Sequence, residues 1–156
     1  MIRSTLAAIL YFAMITPAMA QDPEWTSQCA ESNDACTLSR SVQDTATGTR
    51  AGTILANVTA GAETMIFGAV VPLGVAVQPG IRVLVGEDVI ELPITVCYPD
   101  GCRGLVEVDA ATQSRLLDVE NVEIRYLTSN GDRQISVPVP MSGLSAAIAE
   151  IRNRAE

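Results

Sequence analysis

Four cysteines in two closely spaced pairs constrain the fold of this chain of 156 residues more than any other feature. An even number of cysteines indicates disulfide bonds in a small exported protein. Three pairings are possible for four cysteines, and the short spacings favour local bridges over long-range ones. The sequence therefore predicts the pairs Cys29–Cys36 and Cys97–Cys102.

The second cysteine pair encloses a turn sequence, Tyr98-Pro99-Asp100-Gly101. Proline presets φ, aspartate accepts hydrogen bonds from nearby backbone N–H groups, and glycine adopts positive φ without strain. Such a turn brings its flanking residues within the roughly 5.5 Å Cα separation typical of a disulfide.

Metal binding and redox catalysis are the alternatives for these cysteines. Neither pair has the Cys-x-x-Cys spacing, and the chain contains no histidine. Zinc held by four thiolates is uncommon in an oxidising compartment. We therefore expect structural bridges, with no metal and no cofactor.

The N-terminus has the three parts of an export signal. Arg3 is followed by an apolar run over residues 6–15, and Pro17 precedes the small-x-small site Ala18-Met19-Ala20. The run is shorter than the roughly 20 residues that span a bilayer, so an uncleaved anchor is the weaker alternative. The sequence predicts a signal peptide at 1–20 and a single disulfide-bridged β domain at 21–156, with no transmembrane segment after cleavage.

This signal predicts a periplasmic location, with peripheral association at the outer membrane or secretion as alternatives. The whole chain has a net charge of −8, and cleavage would remove Arg3 and make the mature protein more acidic still. An acidic protein repels phosphate backbones, so we expect no nucleic-acid partner.

Short alternating segments between turn residues predict a mainly β fold. Val122, Ile124 and Tyr126 alternate with charged residues, and Asn130-Gly131 predicts a hairpin to Ile135–Val139. Pro138 lacks an N–H donor, so that strand is predicted to be an edge strand or to end at Pro138. Further strands are predicted at Thr37–Gln43, Thr53–Thr59, Thr64–Val71, Ile81–Val85, Val89–Tyr98 and Arg103–Val108.

Two short helices complete the prediction. Asp109 is suited to cap a helix over Ala110–Leu117. A C-terminal helix is predicted from one apolar stripe, with Ser142 or Ser145 as its candidate cap. That stripe consists of Leu144, Ala147, Ile148 and Ile151. Many strands with few helices indicate a β-sandwich or a small barrel.

The composition excludes most catalytic mechanisms. Every basic residue is arginine, so nucleophile systems that need histidine or lysine are absent. Carboxylate chemistry remains, and Glu87, Asp88 and Glu91 form the densest acidic cluster. The simpler interpretation of that cluster is a solvated hairpin, and we expect no enzymatic activity.

The motifs together resemble the invasion-associated locus B family of alphaproteobacterial exported proteins. The matching features begin with the signal peptide and with Trp25 just before Cys29 and Cys36. They continue with Val71-Pro72-Leu73-Gly74-Val75 and then with Cys97-Tyr98-Pro99-Asp100-Gly101-Cys102. The last is Pro140-Met141-Ser142-Gly143-Leu144-Ser145-Ala146-Ala147, which leads into the final helix.

This resemblance implies an immunoglobulin-like β-sandwich in the periplasm or at the outer membrane, and an association with host-cell invasion in pathogenic members. It implies no catalytic residue. Leu144 stands where phenylalanine is common in the family, and lysine is absent.

The leading hypothesis is a non-enzymatic envelope protein that contacts another envelope or host protein. Two segments form the candidate contact surface, Pro72-Leu73-Gly74 and Pro99-Asp100-Gly101. The alternative is a carbohydrate- or peptidoglycan-binding module, which would need aromatic platforms such as Trp25, Tyr98 or Tyr126. A Trp25 ring buried against the first disulfide would argue against that alternative.

Overall fold

The computed structural model describes residues 24–155 except residue 33. The predicted signal peptide, with its cleavage site after Ala20, lies outside the described residues. The described chain forms two antiparallel sheets and two short helices. The predicted mainly β sandwich with a C-terminal helix is confirmed.

The larger sheet has six strands. It contains β1 (Thr26–Cys29), β2 (Ala35–Gln43), β3 (Arg50–Thr59), β4 (Met65–Val71), β7 (Ile94–Tyr98) and β8 (Gly101–Val108). The spatial order is β1-β2-β3-β4-β8-β7, so β1 and β7 are its edges. All neighbouring strands pair antiparallel.

The smaller sheet has four strands. It contains β5 (Ile81–Val85), β6 (Asp88–Leu92), β9 (Asn121–Leu127) and β10 (Gln134–Pro140), in the order β10-β9-β5-β6. Strand β10 is an edge, as Pro138 predicts. The predicted hairpin around Asn130-Gly131 joins β9 to β10.

One predicted strand is wrong. The segment Val89–Tyr98 is two strands, because Pro93 interrupts it and the two halves belong to different sheets. Leu92 ends β6 with its side chain buried, whereas Ile94 begins β7 and pairs with β8. The chain therefore crosses from one layer of the sandwich to the other at Pro93.

Both helices pack where the sequence predicts them. Helix α1 (Ala110–Asp118) is capped by Asp109, whose carboxylate accepts from the backbone N–H of Thr112. Helix α2 (Leu144–Arg152) packs against β2 and β3 through Leu144, Ile148 and Ile151. The predicted serine cap of α2 is wrong, because Gly143 occupies the cap position with a φ of 84° and no side chain caps the helix.

The core lies between the sheets and under the helices. Strands β2, β5, β9 and β10 bury alternate residues, which follows from the period-two direction of side chains in a strand. The largest fully buried side chains are Leu38, Ile54, Val58, Phe67, Val71, Ile81, Val83, Leu92, Leu116, Ile124, Leu144 and Ile151.

The two disulfides fasten both edges of the six-stranded sheet. Cys29 in β1 bonds to Cys36 in β2, and Cys97 in β7 bonds to Cys102 in β8. In each case the two cysteines are directly paired across neighbouring strands. Each bridge therefore fixes the register of a short edge strand that has a ladder partner on one side only.

Candidate functional site

The two predicted contact segments meet at one end of the six-stranded sheet. Val71, which precedes Pro72, pairs with Cys102, which follows Gly101. Gly101 has a φ of 141°, and a Cβ atom there would lie 2.9 Å from Cγ1 of Val70. Glycine is therefore required for this close approach of the turn to the end of β4.

Exposure differs along the first contact segment. Leu73 is 56% exposed, whereas Val71 and Val75 on either side are buried. The segment thus leaves the core, presents Leu73 to solvent and returns. Leu73 is held at the same end of the sheet as the turn that contains Pro99 and Asp100.

Arg103 orders the turn from the neighbouring strand. Its Nη2 lies 2.7 Å from Oδ2 of Asp100, and its guanidinium carbon lies 5.0 Å from the ring centre of Tyr98. The hydrogen bond from Arg103 lowers the pKa of Asp100. Arg103 and the disulfide together hold Tyr98 in a fixed position although its side chain is half exposed.

An apolar surface extends from Tyr98 across the outer side of the sheet. We define the outer apolar face as Ile66, Val96, Tyr98 and Leu105, which are 43%, 38%, 50% and 36% exposed. The strand register places these four side chains on the side of the sheet that faces away from the core.

Gly68 sets the shape of this face. It pairs with Leu105, and a Cβ atom at position 68 would collide with the Leu105 side chain and the Gly104 carbonyl oxygen. The Leu105 side chain therefore lies across the backbone of β4. The sequence alone does not distinguish Ile66, Val96 or Leu105 as surface residues, because an alternating strand does not reveal which of its faces the second sheet covers.

Near β1, the outer side of the six-stranded sheet carries uncharged polar side chains. Thr26, Thr37, Ser39 and Ser41 share this side with Thr53, whose hydroxyl lies 2.8 Å from that of Ser41. Charged side chains on the apolar half come from Arg103 and Glu107. These two charges have opposite signs and cancel, whereas the whole chain has a net charge of −8.

Two of the three candidate aromatic side chains, Trp25 and Tyr126, make contacts within the protein. The Trp25 ring packs partly against the core, its Nε1 donates to the Ser142 carbonyl oxygen at 3.0 Å, and Arg40 lies 6.0 Å from its centre. Tyr126 is buried, and its hydroxyl donates to the Ala51 carbonyl oxygen. Burial raises the pKa of Tyr126.

The acidic cluster lies on the β5–β6 hairpin. Glu87 is exposed in the turn, and both Asp88 and Glu91 lie 2.9 Å from arginine nitrogens, of Arg115 and Arg82 respectively. The cluster borders a cleft of about 430 Å³ between β6 and β8. Within the described residues, no group of three or more acidic or cysteine side chains is placed to hold a metal ion.

The family model for invasion associated locus B (IalB) proteins matches residues 25–152 of this chain. This match covers both disulfides, both contact segments and the whole outer apolar face. The chain belongs to the invasion associated locus B family. The predicted resemblance is therefore confirmed.

A solved structure shows the same fold. The crystal structure of invasion associated protein B from Bartonella henselae is 20% identical in sequence, with a TM-score of 0.73. The match covers 85% of this chain and 94% of that one. No curated protein sequence matches the chain significantly. No helix in the described part of this IalB-family chain is long and apolar enough to cross a membrane.

Proposed function

We propose that this IalB-family chain is a non-enzymatic exported envelope protein that binds another protein, in the periplasm or at the outer membrane. The observation that carries the proposal is the outer apolar face beside edge strand β7. Large side chains there are exposed together on a rigid sheet, and apolar groups grouped in this way favour contact with a partner protein.

The architecture at β7 also supports a protein partner. As an edge strand, β7 has a neighbouring strand, β8, on one side only among the described residues. An extended segment of a partner could add to this edge while its side chains contact the outer apolar face. The bridge Cys97–Cys102 keeps the edge ordered before binding, which lowers the entropy lost on association.

Export is supported by the sequence signal at 1–20 and by the two disulfides, which are stable in oxidising compartments.

The absence of enzymatic activity is supported by the pairing of Asp88 and Glu91 with arginines. Each of these two carboxylates lies 2.9 Å from an arginine nitrogen.

The carbohydrate alternative has less support. Trp25, its best aromatic residue, uses its indole N–H and one ring face for contacts within the protein. Tyr98 alone remains as an exposed aromatic of the three candidates.

A matched pair of charge substitutions tests the proposal. Leu105→Glu places a carboxylate in the outer apolar face, and Val89→Glu places one at a 42% exposed valine in the other sheet. We expect Leu105→Glu to abolish co-purification of a specific partner from the native envelope, and Val89→Glu to retain it. Equal recovery of the same partner by both variants would contradict the proposal.

A further inference from the structure

A buried arginine lies beneath a second cleft, on the side of the sandwich that carries α2. Arg40 lies on β2 and is 2% exposed, and its alternation with Cys36 and Leu38 places it on the inward side of the sheet. A guanidinium removed from water loses its hydration, so burial is unfavourable unless opposite charge or hydrogen-bond acceptors replace the water.

The contacts that Arg40 makes with the described residues are neutral. Its Nη1 donates to the carbonyl oxygen and the hydroxyl of Ser142, at 2.8 and 3.2 Å, and Trp25 lies beside it. Between residues 24 and 155, no carboxylate oxygen pairs with its guanidinium within 4.0 Å. The buried Nε has no hydrogen-bond acceptor there. The positive charge therefore has no ionic partner in the described chain.

Arg40 borders a cleft of about 430 Å³. Trp25 and Ser142 form part of its wall, together with the cap residue Gly143 and with Ala146 and Ala147 of α2. Because Gly143 and the two alanines are small, they leave space beside the guanidinium. This volume lies within the range of small-molecule sites, roughly 300–1,000 Å³.

The remaining cleft residues carry the opposite charge. Glu24 and Glu150 both border the cleft, and the Glu150 side chain is 72% exposed. Glu150 also lies 2.7 Å from Nη2 of Arg154. A simple anion would be attracted by Arg40 and repelled by both glutamates. A ligand that carries both charges fits the whole cleft.

We propose that this cleft binds a zwitterionic ligand of amino-acid or short-peptide size. The carboxylate of the ligand pairs with the Arg40 guanidinium, and its ammonium group lies toward Glu24 and Glu150. This site is separate from the outer apolar face and does not depend on the proposed protein contact.

The cleft contains its own reporter, because Trp25 is the sole tryptophan of the chain. Titration with alanine and with alanyl-alanine, followed by tryptophan fluorescence and the indole N–H resonance, measures binding at Trp25. The two probes distinguish a free amino acid from a peptide end. Alaninamide and N-acetylalanine each lack one of the two charges and serve as controls.

We expect the Trp25 signals to change saturably with at least one of the two zwitterions. Alaninamide and N-acetylalanine should both bind at least tenfold more weakly. Arg40→Met should abolish the response, and Glu150→Gln should weaken it severalfold. Glu91→Gln, at an exposed position of the other cleft, should leave it unchanged. Because Glu150 is exposed, its variant tests the site even if Arg40→Met does not fold.

No response of Trp25 to either zwitterion, or equal binding of N-acetylalanine, would overturn the proposal. Unchanged affinity in Glu150→Gln would also overturn the assigned ammonium position.

Discussion

The indole Nε1 of Trp25 donates to the carbonyl oxygen of Ser142 across 117 positions of sequence. The same oxygen accepts from Arg40. One backbone carbonyl thus joins the segment before β1, the middle of β2 and the start of α2. This arrangement explains how the N-terminal segment is held against the C-terminal helix.

Trp25→Phe should lower the free energy of unfolding by about 1–2 kcal/mol, because it removes this hydrogen bond and weakens the ring contact with Arg40. Urea titration followed by far-ultraviolet circular dichroism measures the change. Ser142→Ala is the matched control, since it keeps the carbonyl and removes only the hydroxyl contact at 3.2 Å. A larger loss in Ser142→Ala than in Trp25→Phe would contradict the assignment.

Replacing both Cys97 and Cys102 with serine should cost about 2 kcal/mol by the loop-entropy estimate, while the fold survives. Amide exchange should accelerate most in edge strand β7, because the bridge fastens it to β8. Denaturant titration measures the loss of unfolding free energy, and hydrogen exchange measures the local change in β7. Replacing Cys29 and Cys36 with serine should instead accelerate amide exchange in β1. Equal acceleration over the whole protein in both variants would show that the disulfides do not stabilise the edge strands locally.

Gly68→Ala should destabilise the protein by about 1–3 kcal/mol, because the new Cβ meets the Gly104 backbone, which cannot move aside easily. Gly52→Ala is the control. There the Cβ meets the end of the Ile124 side chain at 3.0 Å, and a side-chain end shifts more readily than backbone. Thermal unfolding measures the stability of both variants. A loss of stability in Gly68→Ala that is equal to or smaller than the loss in Gly52→Ala would contradict this prediction.

Acid sensitivity should depend in part on Asp109. The backbone N–H of Thr112 lowers the pKa of Asp109 in the folded protein. A group with a depressed folded pKa stabilises the protein above its unfolded pKa, near 4, and this contribution disappears as the pH falls through the folded pKa. We therefore expect the difference in unfolding free energy between the wild type and Asp109→Asn to be constant near neutral pH and to change below about pH 4. Asparagine is a suitable control because it also caps helices; a pH-independent difference would contradict this role.

Local patterns in the sequence were sufficient for most of the fold. Alternation identified β9 and β10, and the Asp109 cap and the apolar stripe of α2 located the helices. Strand β1 was missed because Thr26, Ser27 and Gln28 are polar and exposed, and its stability comes from pairing and the disulfide. Pro93 was a visible signal for the break between β6 and β7, but the apolar residues on both sides concealed it.

The candidate site was only partly predictable. The cysteine spacing and the turn residues located one end of the contact surface. Ile66 and Leu105 depend on which side of the sheet faces outward, a property of the tertiary fold. The burial of Arg40 without an ionic partner among the described residues could not be predicted either, because a single arginine in a strand is ordinarily solvated.

The most direct test of the proposed function is photocrosslinking in cells that carry the native gene. A benzoylphenylalanine at position 98, in the outer apolar face, should give a discrete adduct with one envelope or host protein. The same residue at position 89, on the other sheet, should give none, and Leu105→Glu should remove the adduct formed from position 98. A discrete adduct from position 89 with none from position 98, or an adduct that persists in Leu105→Glu, would contradict the account.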